Sequence, residues 1–542
     1  MKPLFEGKLC TREWSVESIC LAVAVFCSLA FNWTFAGKVI ETHSLQGMSG
    51  LILGVALTIV VTALHLLIFL LLSYRFTVKP LLTLVLLISA SAAYYMSRYT
   101  VYLDVDMLRN VLHTDTKESR ELLTLPMIGT IALLGGLPAL VLWRLRIKKS
   151  RMLLTIRRRL IWIIATLAVL AATAFASYQP LSSFLRNHRE MRYLVTPSNY
   201  IFGLAKLAAG ETKRKPRQVI GLDAKLAPQK PGQKPALVVL VVGETVRAQN
   251  WGLNGYARQT TPRLKAIGPI NFSHVTSCGT ATEVSLPCMF SPWGRADFDM
   301  DKIKNSQSFL HVLNRVGIDV RWIDNQSGCK GVCEGLPTES IQHVTKATPY
   351  CTVEKGCFDR ELTDRLKAVP HVKGDQFVVL HTLGNHGPSY YARYPASARV
   401  FTPECLEDDL GRCTAAQITN SYDNAIIATD AMLADTIAYL QTMTDRDTAL
   451  IYVSDHGESL GENGLFLHGL PYSIAPQTQK TVPMIMWLSD GLKRDRSIDE
   501  NCLAKRATQP ASHDNLFHSV LGLMGVNTAL YRADRDLFAG CR

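Results

Sequence analysis

Five apolar stretches, at about 18 to 36, 51 to 73, 80 to 96, 124 to 143 and 160 to 178, fall within the first 180 residues of this 542-residue chain. At roughly 17 to 23 residues each, they are long enough to cross a hydrocarbon core of about 30 Å as helices. A mean hydropathy of +0.11 agrees, being high for a wholly soluble protein. Buried core helices are the competing reading, but five in succession with charged flanks fit membrane spans better. No small-x-small cleavage site follows the first stretch before the next begins, so it reads as a retained span and not a signal peptide.

The basic residues orient these spans. The connection between the fourth and fifth carries Arg144, Arg146, Lys148, Lys149, Arg151, Arg157, Arg158 and Arg159, with no acidic residue among them. The positive-inside rule places this loop in the cytoplasm, together with Lys2, Lys8 and Arg12 near the start of the sequence. An odd number of crossings then exports everything after about residue 180. The same loop supplies eight of the positive charges behind a formal net charge of +13. The basic balance therefore points to anionic lipid headgroups and not to nucleic acid.

Cysteine usage tests that topology independently. Of 13 cysteines, Cys10, Cys20 and Cys27 lie in or near the first span, and the other ten lie beyond residue 277. The ten fall into close pairs, Cys278 with Cys288, Cys329 with Cys333, Cys351 with Cys357 and Cys405 with Cys413, leaving Cys502 and Cys541. Ten cysteines in an exported domain favour five disulfides in an oxidising compartment. A zinc ribbon at Cys329 and Cys333 lacks a second pair at ribbon spacing.

The expected organisation is a transmembrane domain over 1–179, a join over 180–234 and a soluble domain over 235–542. Within the join, 180–209 mixes large apolar residues with Arg186, Arg189, Arg192 and Lys206, as in helices lying on a membrane surface. The stretch 211–234 is a polar linker rich in Lys, Pro and Gly. Beyond it, candidate buried strands at 236–242, 320–323, 377–380, 450–453 and 484–487 alternate with segments that can hold helices, such as 306–316 and 421–443. That alternation predicts a parallel α/β sheet covered on both faces. Ligands of such sheets gather beyond the carboxyl ends of the strands. Glu244 follows the first strand, His386 the third, and Asp455 with His456 the fourth.

These strand ends carry the candidate chemistry. Asp455 and His456 offer adjacent oxygen and nitrogen donors, a set that suits a divalent metal such as zinc. Glu244 stands after Gly243, and His386 and His468 are both followed by glycine, which leaves room around each imidazole. A solitary Asp-His is more often a structural pair, and a lone Glu or Thr more often a helix cap. The conjunction favours function. The loop from Cys278 to Cys288 adds Thr280, Thr282 and Ser285. An alkyl hydroxyl is a poor nucleophile at neutral pH, and this loop contains no histidine to act as its base. Metal coordination is the alternative route to activation, and a helix beginning after the nucleophile would favour the same anionic oxygen. An N-cap cluster beside a disulfide is the bland account of these hydroxyls.

Four segments, Val-Gly-Glu-Thr-x-Arg, Ser-Cys-Gly-Thr-x-Thr, Gly-Asn-His-Gly-Pro and Ser-Asp-His-Gly-Glu-Ser-Leu-Gly-Glu, behind five spans, resemble the lipid A phosphoethanolamine transferases. That family includes the mobile colistin-resistance enzymes and belongs to the alkaline phosphatase/sulfatase-like fold group. The resemblance implies a five-helix N-terminal transmembrane domain followed by a soluble α/β domain of that type. It implies a multi-pass protein of the bacterial inner membrane with its catalytic domain in the periplasm. By position, Thr282 matches the nucleophile, and Glu244, Asp455 and His456 match the ligands of a zinc ion that Thr282 also contacts. His386 and His468 match residues that bind substrate phosphate or a further metal, and Lys330 falls where a substrate contact is expected. The segment 106–118 is similar to a loop that helps seat the donor lipid, with Asn110 and Glu118 as its contacts. Ala281 and Glu283 depart from the family pattern, which commonly has Ser at the former position, and Glu283 adds negative charge beside a phosphate site.

The activity implied is transfer of phosphoethanolamine from phosphatidylethanolamine to lipid A or lipooligosaccharide through a covalent adduct on Thr282. Zn²⁺ is the implied cofactor, and membrane lipids are the implied surroundings. Exchanging bare anionic charge for a zwitterion would weaken binding of cationic peptides, hence polymyxin resistance. The alternatives are a phosphoglycerol transferase of the same fold group and a non-catalytic membrane sensor. A sensor of that kind should have lost a metal ligand, whereas every expected one is present in the sequence.

Overall fold

A computed structural model describes residues 13–42, 47–114, 120, 122–211, 217–229, 231–342, 344, 346–353 and 356–542. Its packing divides the chain into two units, Met1–Leu108 with Leu123–Glu211, and Arg109–Leu122 with Thr212–Arg542.

The first unit is helical. Among the described residues, four helices are long and apolar enough to cross a membrane: Gly50–Leu72, Val78–Tyr99, Leu125–Arg144 and Met152–Ala176. The first expected span differs. It is two helices, α1 (Val16–Ala30) and α2 (Trp33–Thr42), bent by 50° across a short break, and it counts as a fifth span only if the pair is taken together. Asn32 explains the break. Its side-chain amide donates to the carbonyls of Cys27 and Thr196, and its Oδ1 accepts from the Thr196 amide. A side chain that takes the backbone's partners offers the chain an alternative to continuing the helix. Residues after the last span form α3 (Tyr178–Asn187), a 3₁₀ segment Arg189–Leu194 and α4 (Ser198–Glu211).

The second unit is built on one eight-stranded sheet. Its strands are β1 (Ala236–Gly243), β2 (Ile270–Thr276), β3 (Asp319–Asp324), β4 (Thr338–Ser340), β5 (Gln376–His381), β6 (Asp447–Ser454), β7 (Thr481–Leu488) and β8 (Ala511–Ser512). They lie in the order β8-β2-β7-β6-β1-β5-β3-β4. The expectation of a purely parallel sheet is corrected: β7 pairs antiparallel with both β6 and β2. The physical cause is the 455–480 connection, which carries a small hairpin and one short helix. Lacking a crossover helix, it returns the chain from the same edge where β6 ended. The other neighbours pair parallel, so β2 and β8 still end at the same edge as β1, β5 and β6.

The centre of the sheet is an uninterrupted apolar run because both faces are covered. Along β1, Val238, Leu240 and Val242 join one buried cluster, while Leu237, Val239 and Val241 join the other. Helices Phe309–Arg315 and Asp514–Met524 supply Phe309, Leu313, Phe517 and Val520 to the first. Helix Ala415–Gln441 supplies Tyr422, Ile426, Leu433 and Ile437 to the second. Each such side chain contributes on the order of 1.5–3 kcal/mol by leaving water. Two helices start where their capping chemistry dictates and not where the apolar pattern suggested. Ser308 and Thr414 make capping boxes with His311 and Gln417, so the first begins later than 306 and the second earlier than 421. Strand β2 alternates Ile270, Phe272 and Val275 with polar residues, which hid it among less regular segments.

All ten exported cysteines pair, 278 with 288, 329 with 333, 351 with 357, 405 with 413 and 502 with 541. Residues after 217 are no free spacer. Lys225–Leu226 pairs with Val526–Asn527, and Arg315 donates to the Ile220 carbonyl.

Candidate active site

Register brings the site together. Gly243 at the end of β1 is the partner of Ser454 at the end of β6, so Glu244 and Asp455 leave the sheet side by side. Strand β5 flanks β1 on its other side, and the chain turns back at Gly384 with φ +53°. A Cβ there would lie 2.5 Å from the Glu244 carbonyl, a contact only glycine avoids.

Glu244, Asp455 and His456 form a buried group whose ligand atoms all lie within 4.8 Å of one another. Thr282 completes it. Its Oγ1 donates to the Glu244 carboxylate, 3.1 and 3.0 Å from the two oxygens, and lies 3.3 Å from His456 Nε2. Thr282 is the first residue of α5 (Thr282–Met289), whose N-cap position is Ala281, with no side-chain cap. The cap-cluster account of the hydroxyls therefore fails: Thr280 donates to the Leu470 carbonyl, Ser285 to the Asp455 carbonyl, and Thr282 to Glu244. The helix N-terminus with its unsatisfied N–H groups favours an anion at this point.

Titration within the group follows from its composition. Burial would raise the Glu244 carboxyl, but the hydrogen bond and charge of His456 hold it well below the carboxylate range. Burial and then the Glu244 charge push Asp455 up to about 6. Burial opposes an imidazolium at His456, yet Asp455 and Glu244 outweigh it and raise His456 to about 9. His456 Nδ1 faces the Gly457 carbonyl at 3.0 Å, so both ring nitrogens meet acceptors, as in an imidazolium. Asp455 Oδ2 is buried with no hydrogen-bond partner among the described residues, 3.4 Å from His456 Nε2. Two carboxylates, an imidazole and a hydroxyl converging in a buried site, with one carboxylate oxygen unsatisfied among the described residues, fit a divalent cation.

His386 and His468 stand beside this group, with ring centroids of His468 4.4 Å from His456 and 5.5 Å from His386. Burial pulls His386 down to about 3, so its ring is neutral in the absence of ligands. Lys330 lies in the loop after β3, where its amine donates to Ser327 Oγ at 2.6 Å. Asn110 lies on the helix Val105–His113, where its carbonyl accepts from Thr114. Glu118 lies outside the described residues. The charge of Glu283 is met by Lys304, whose Nζ is 2.6 Å away.

Several contributors were not singled out from sequence. Gln326 Nε2 donates to Glu244 Oε2 at 3.0 Å, and buried Glu458 meets His468 Nδ1 at 3.1 Å. His513 ties three segments: its Nδ1 accepts from the Cys278 amide, with Ser285 Oγ at 3.3 Å, while Nε2 donates to the Ser454 carbonyl. Glu458 lies within the Ser-Asp-His-Gly-Glu segment and Gln326 follows a strand end, signals that could have flagged both. His513 follows a strand of only two residues, too short to read from sequence.

Residues 236–526 match the Sulfatase family, and 61–212 match the Phosphoethanolamine transferase EptA/EptB family. Over 529 residues the chain is 37% identical to phosphoethanolamine transferase EptA of Escherichia coli K12, covering 96% of each. The chain belongs to the phosphoethanolamine transferase family. It is also 39% identical over 489 residues to the phosphatidylethanolamine transferase Mcr-1 of Escherichia coli, covering 88% of this chain and 90% of that one. The integral membrane lipooligosaccharide phosphoethanolamine transferase A of Neisseria meningitidis has the same fold, with a TM-score of 0.92 at 36% identity over 98% of this chain and 100% of that one. Membership in this transferase family accounts for an apolar helical unit joined to a sulfatase-like α/β unit in one chain.

Proposed function

We propose that this protein transfers phosphoethanolamine from phosphatidylethanolamine to lipid A or lipooligosaccharide at the exported face of the bacterial inner membrane. In this reading 1–179 is a five-span membrane domain, 180–234 carries interfacial helices and a linker, and 235–542 is the periplasmic catalytic domain. The basic loop at 144–159 and the exported disulfides support that placement. The observation that carries the activity is the contact of Thr282 Oγ1 with both Glu244 and His456.

Thr282 attacks the phosphorus of the donor, forming an Oγ1–P bond as the bond to diacylglycerol breaks. Diacylglycerol leaves with the proton given up by Thr282. The hydroxyl oxygen of a singly protonated acceptor, such as a lipid A phosphate, then attacks the adduct, forming a new O–P bond as the Oγ1–P bond breaks, and its proton returns to Thr282 Oγ1. Glu244 accepts the Thr282 hydrogen bond and so aims a lone pair away from the carboxylate. His468, its Nδ1 held by Glu458, keeps Nε2 for a phosphoryl or leaving-group oxygen, and His386 serves the same oxygens. Glu244, Asp455, His456 and Thr282 would hold zinc, which supplies positive charge to acidify the hydroxyl and offset charge on the phosphoryl oxygens. Lys330, Asn110 and Glu118 are the proposed donor contacts.

Incubation with donor lipid labelled in its headgroup tests the scheme. The wild-type protein should carry a phosphoethanolamine mass increment on the peptide containing Thr282, and Thr282→Ala should carry none and transfer none. Undiminished transfer by Thr282→Ala would sink the assignment. A phosphoglycerol increment would replace the donor headgroup, and no adduct with any donor would favour a non-catalytic role.

A further inference from the structure

The helical unit contains a cavity of about 570 Å³ whose lining includes none of Glu244, Thr282, Asp455 and His456. The volume lies within the range of sites that take small organic ligands. Its walls are apolar: Phe35 from α2, Val61 and Leu64 from the Gly47–Leu72 helix, Phe184 from α3 and Phe202 from α4. Charged groups also line it. Arg192 and Lys206 are exposed at the lining, with His188 nearby and facing Glu190 at 3.6 Å. Asp104, the acid of the lining, meets a helix end, where Oδ1 accepts from the Met107 amide.

One observation marks this as a built site and not a packing gap. Ser198, at the start of α4, lines the cavity at 3% exposure, and its Oγ is buried with no hydrogen-bond partner among the described residues. An unpaired buried hydroxyl costs free energy, and rotation of the Ser198 side chain toward a ligand oxygen in the cavity would recover it. The unit around it carries helices apolar enough to span a membrane, so the hydrocarbon that reaches such walls is an acyl chain. With a chain against Phe35, Val61 and Phe202, Arg192 and Lys206 are the lining cations left to meet its headgroup. Two exposed cations there complement a headgroup with net negative charge better than a zwitterion.

We infer that this cavity binds one anionic phospholipid, with an acyl chain among the apolar walls, an ester oxygen at Ser198 Oγ and the phosphate at Arg192 and Lys206. The site is separate in its residues from the Thr282 group and takes a lipid that is not consumed.

The test uses the full chain, delipidated in a non-ionic detergent and titrated with phosphatidylglycerol, phosphatidylethanolamine or phosphatidylcholine, with bound lipid counted by native mass spectrometry. Wild type should retain one phosphatidylglycerol per chain at least fivefold more readily than phosphatidylcholine. A double charge reversal, Arg192→Glu with Lys206→Glu, alters exposed side chains and should abolish that preference. Val61→Phe should displace the lipid, and Ser198→Ala should weaken retention of phosphatidylglycerol a few-fold. Preferential retention of phosphatidylethanolamine would assign the cavity to the donor and overturn the inference. Equal retention of all three lipids, or a phosphatidylglycerol preference unchanged by the charge reversal, would overturn it as well.

Discussion

Thr282 Oγ1 lies 3.0 Å from Glu244 Oε2, although the two residues are 38 apart in sequence and on different elements. The contact separates two roles that are otherwise easy to confuse. Glu244→Gln should lower metal content of the purified protein by tenfold or more, because it removes a charged ligand from a three-residue group. Thr282→Ala should retain most of the metal while losing transfer by at least about 10³-fold, as expected when a nucleophile is removed. Metal analysis alongside the transfer assay checks both, and equal metal loss in the two variants would contradict the division.

Gln326 donates to the same Glu244 oxygen, Oε2. Gln326→Ala should weaken metal affinity by roughly 10–100-fold, as outer-shell substitutions do, with the fold intact by circular dichroism. Competition with a chelator of known affinity measures the change.

Metal uptake should release protons. With His456 raised to about 9, the metal-free site holds an imidazolium at pH 7.5, and a ligating imidazole must be neutral. About one proton should therefore appear per metal bound at that pH, and apparent affinity should rise roughly tenfold per pH unit between 7 and 9. Calorimetry in two buffers of different ionisation enthalpy counts the protons.

Acid should weaken the exported unit through His513. Burial lowers this imidazole from 6.5 to about 4, so it stays neutral in the fold while the unfolded chain takes a proton as pH falls through 6.5. The unfolded state then binds more protons, and stability is lost between about pH 6.5 and 4, by about 3 kcal/mol in all. His513→Gln, which keeps a donor for the Ser454 carbonyl, should flatten that part of the profile. Urea unfolding of metal-free protein at pH 7 and pH 4.5 would show it.

Ala281 holds an N-cap position without a capping side chain. Ala281→Ser should stabilise the helix that begins with Thr282 by about 1 kcal/mol. A matching rise in the denaturation midpoint checks this, and an unchanged midpoint would mean that the added hydroxyl finds no N–H.

Disulfide pairing was legible in part because short separations leave few partners; Cys502 and Cys541, 39 residues apart, were paired only by elimination. The candidate metal group was legible because each of its residues follows an apolar strand, and the carboxyl edge of a sheet is where such residues can meet. Gln326, Glu458 and His513 were not, since a hydrogen bond between distant segments leaves no periodic trace. The reversal of β7 was invisible for a similar reason: an apolar strand reads identically in either direction.

By itself, then, the sequence determined the division into an apolar helical part and an exported α/β part, because hydrophobic length and strand pattern are local properties. It also determined which residue types stand at the strand ends. Only the tertiary structure decided that the Gly243–Ser454 register sets Glu244 beside Asp455, and that Lys304 meets Glu283. It likewise decided that Asn32 breaks the first apolar stretch by reaching Thr196. Each of these is a contact across a long loop, and such contacts exist only once the whole sheet or bundle has been assembled.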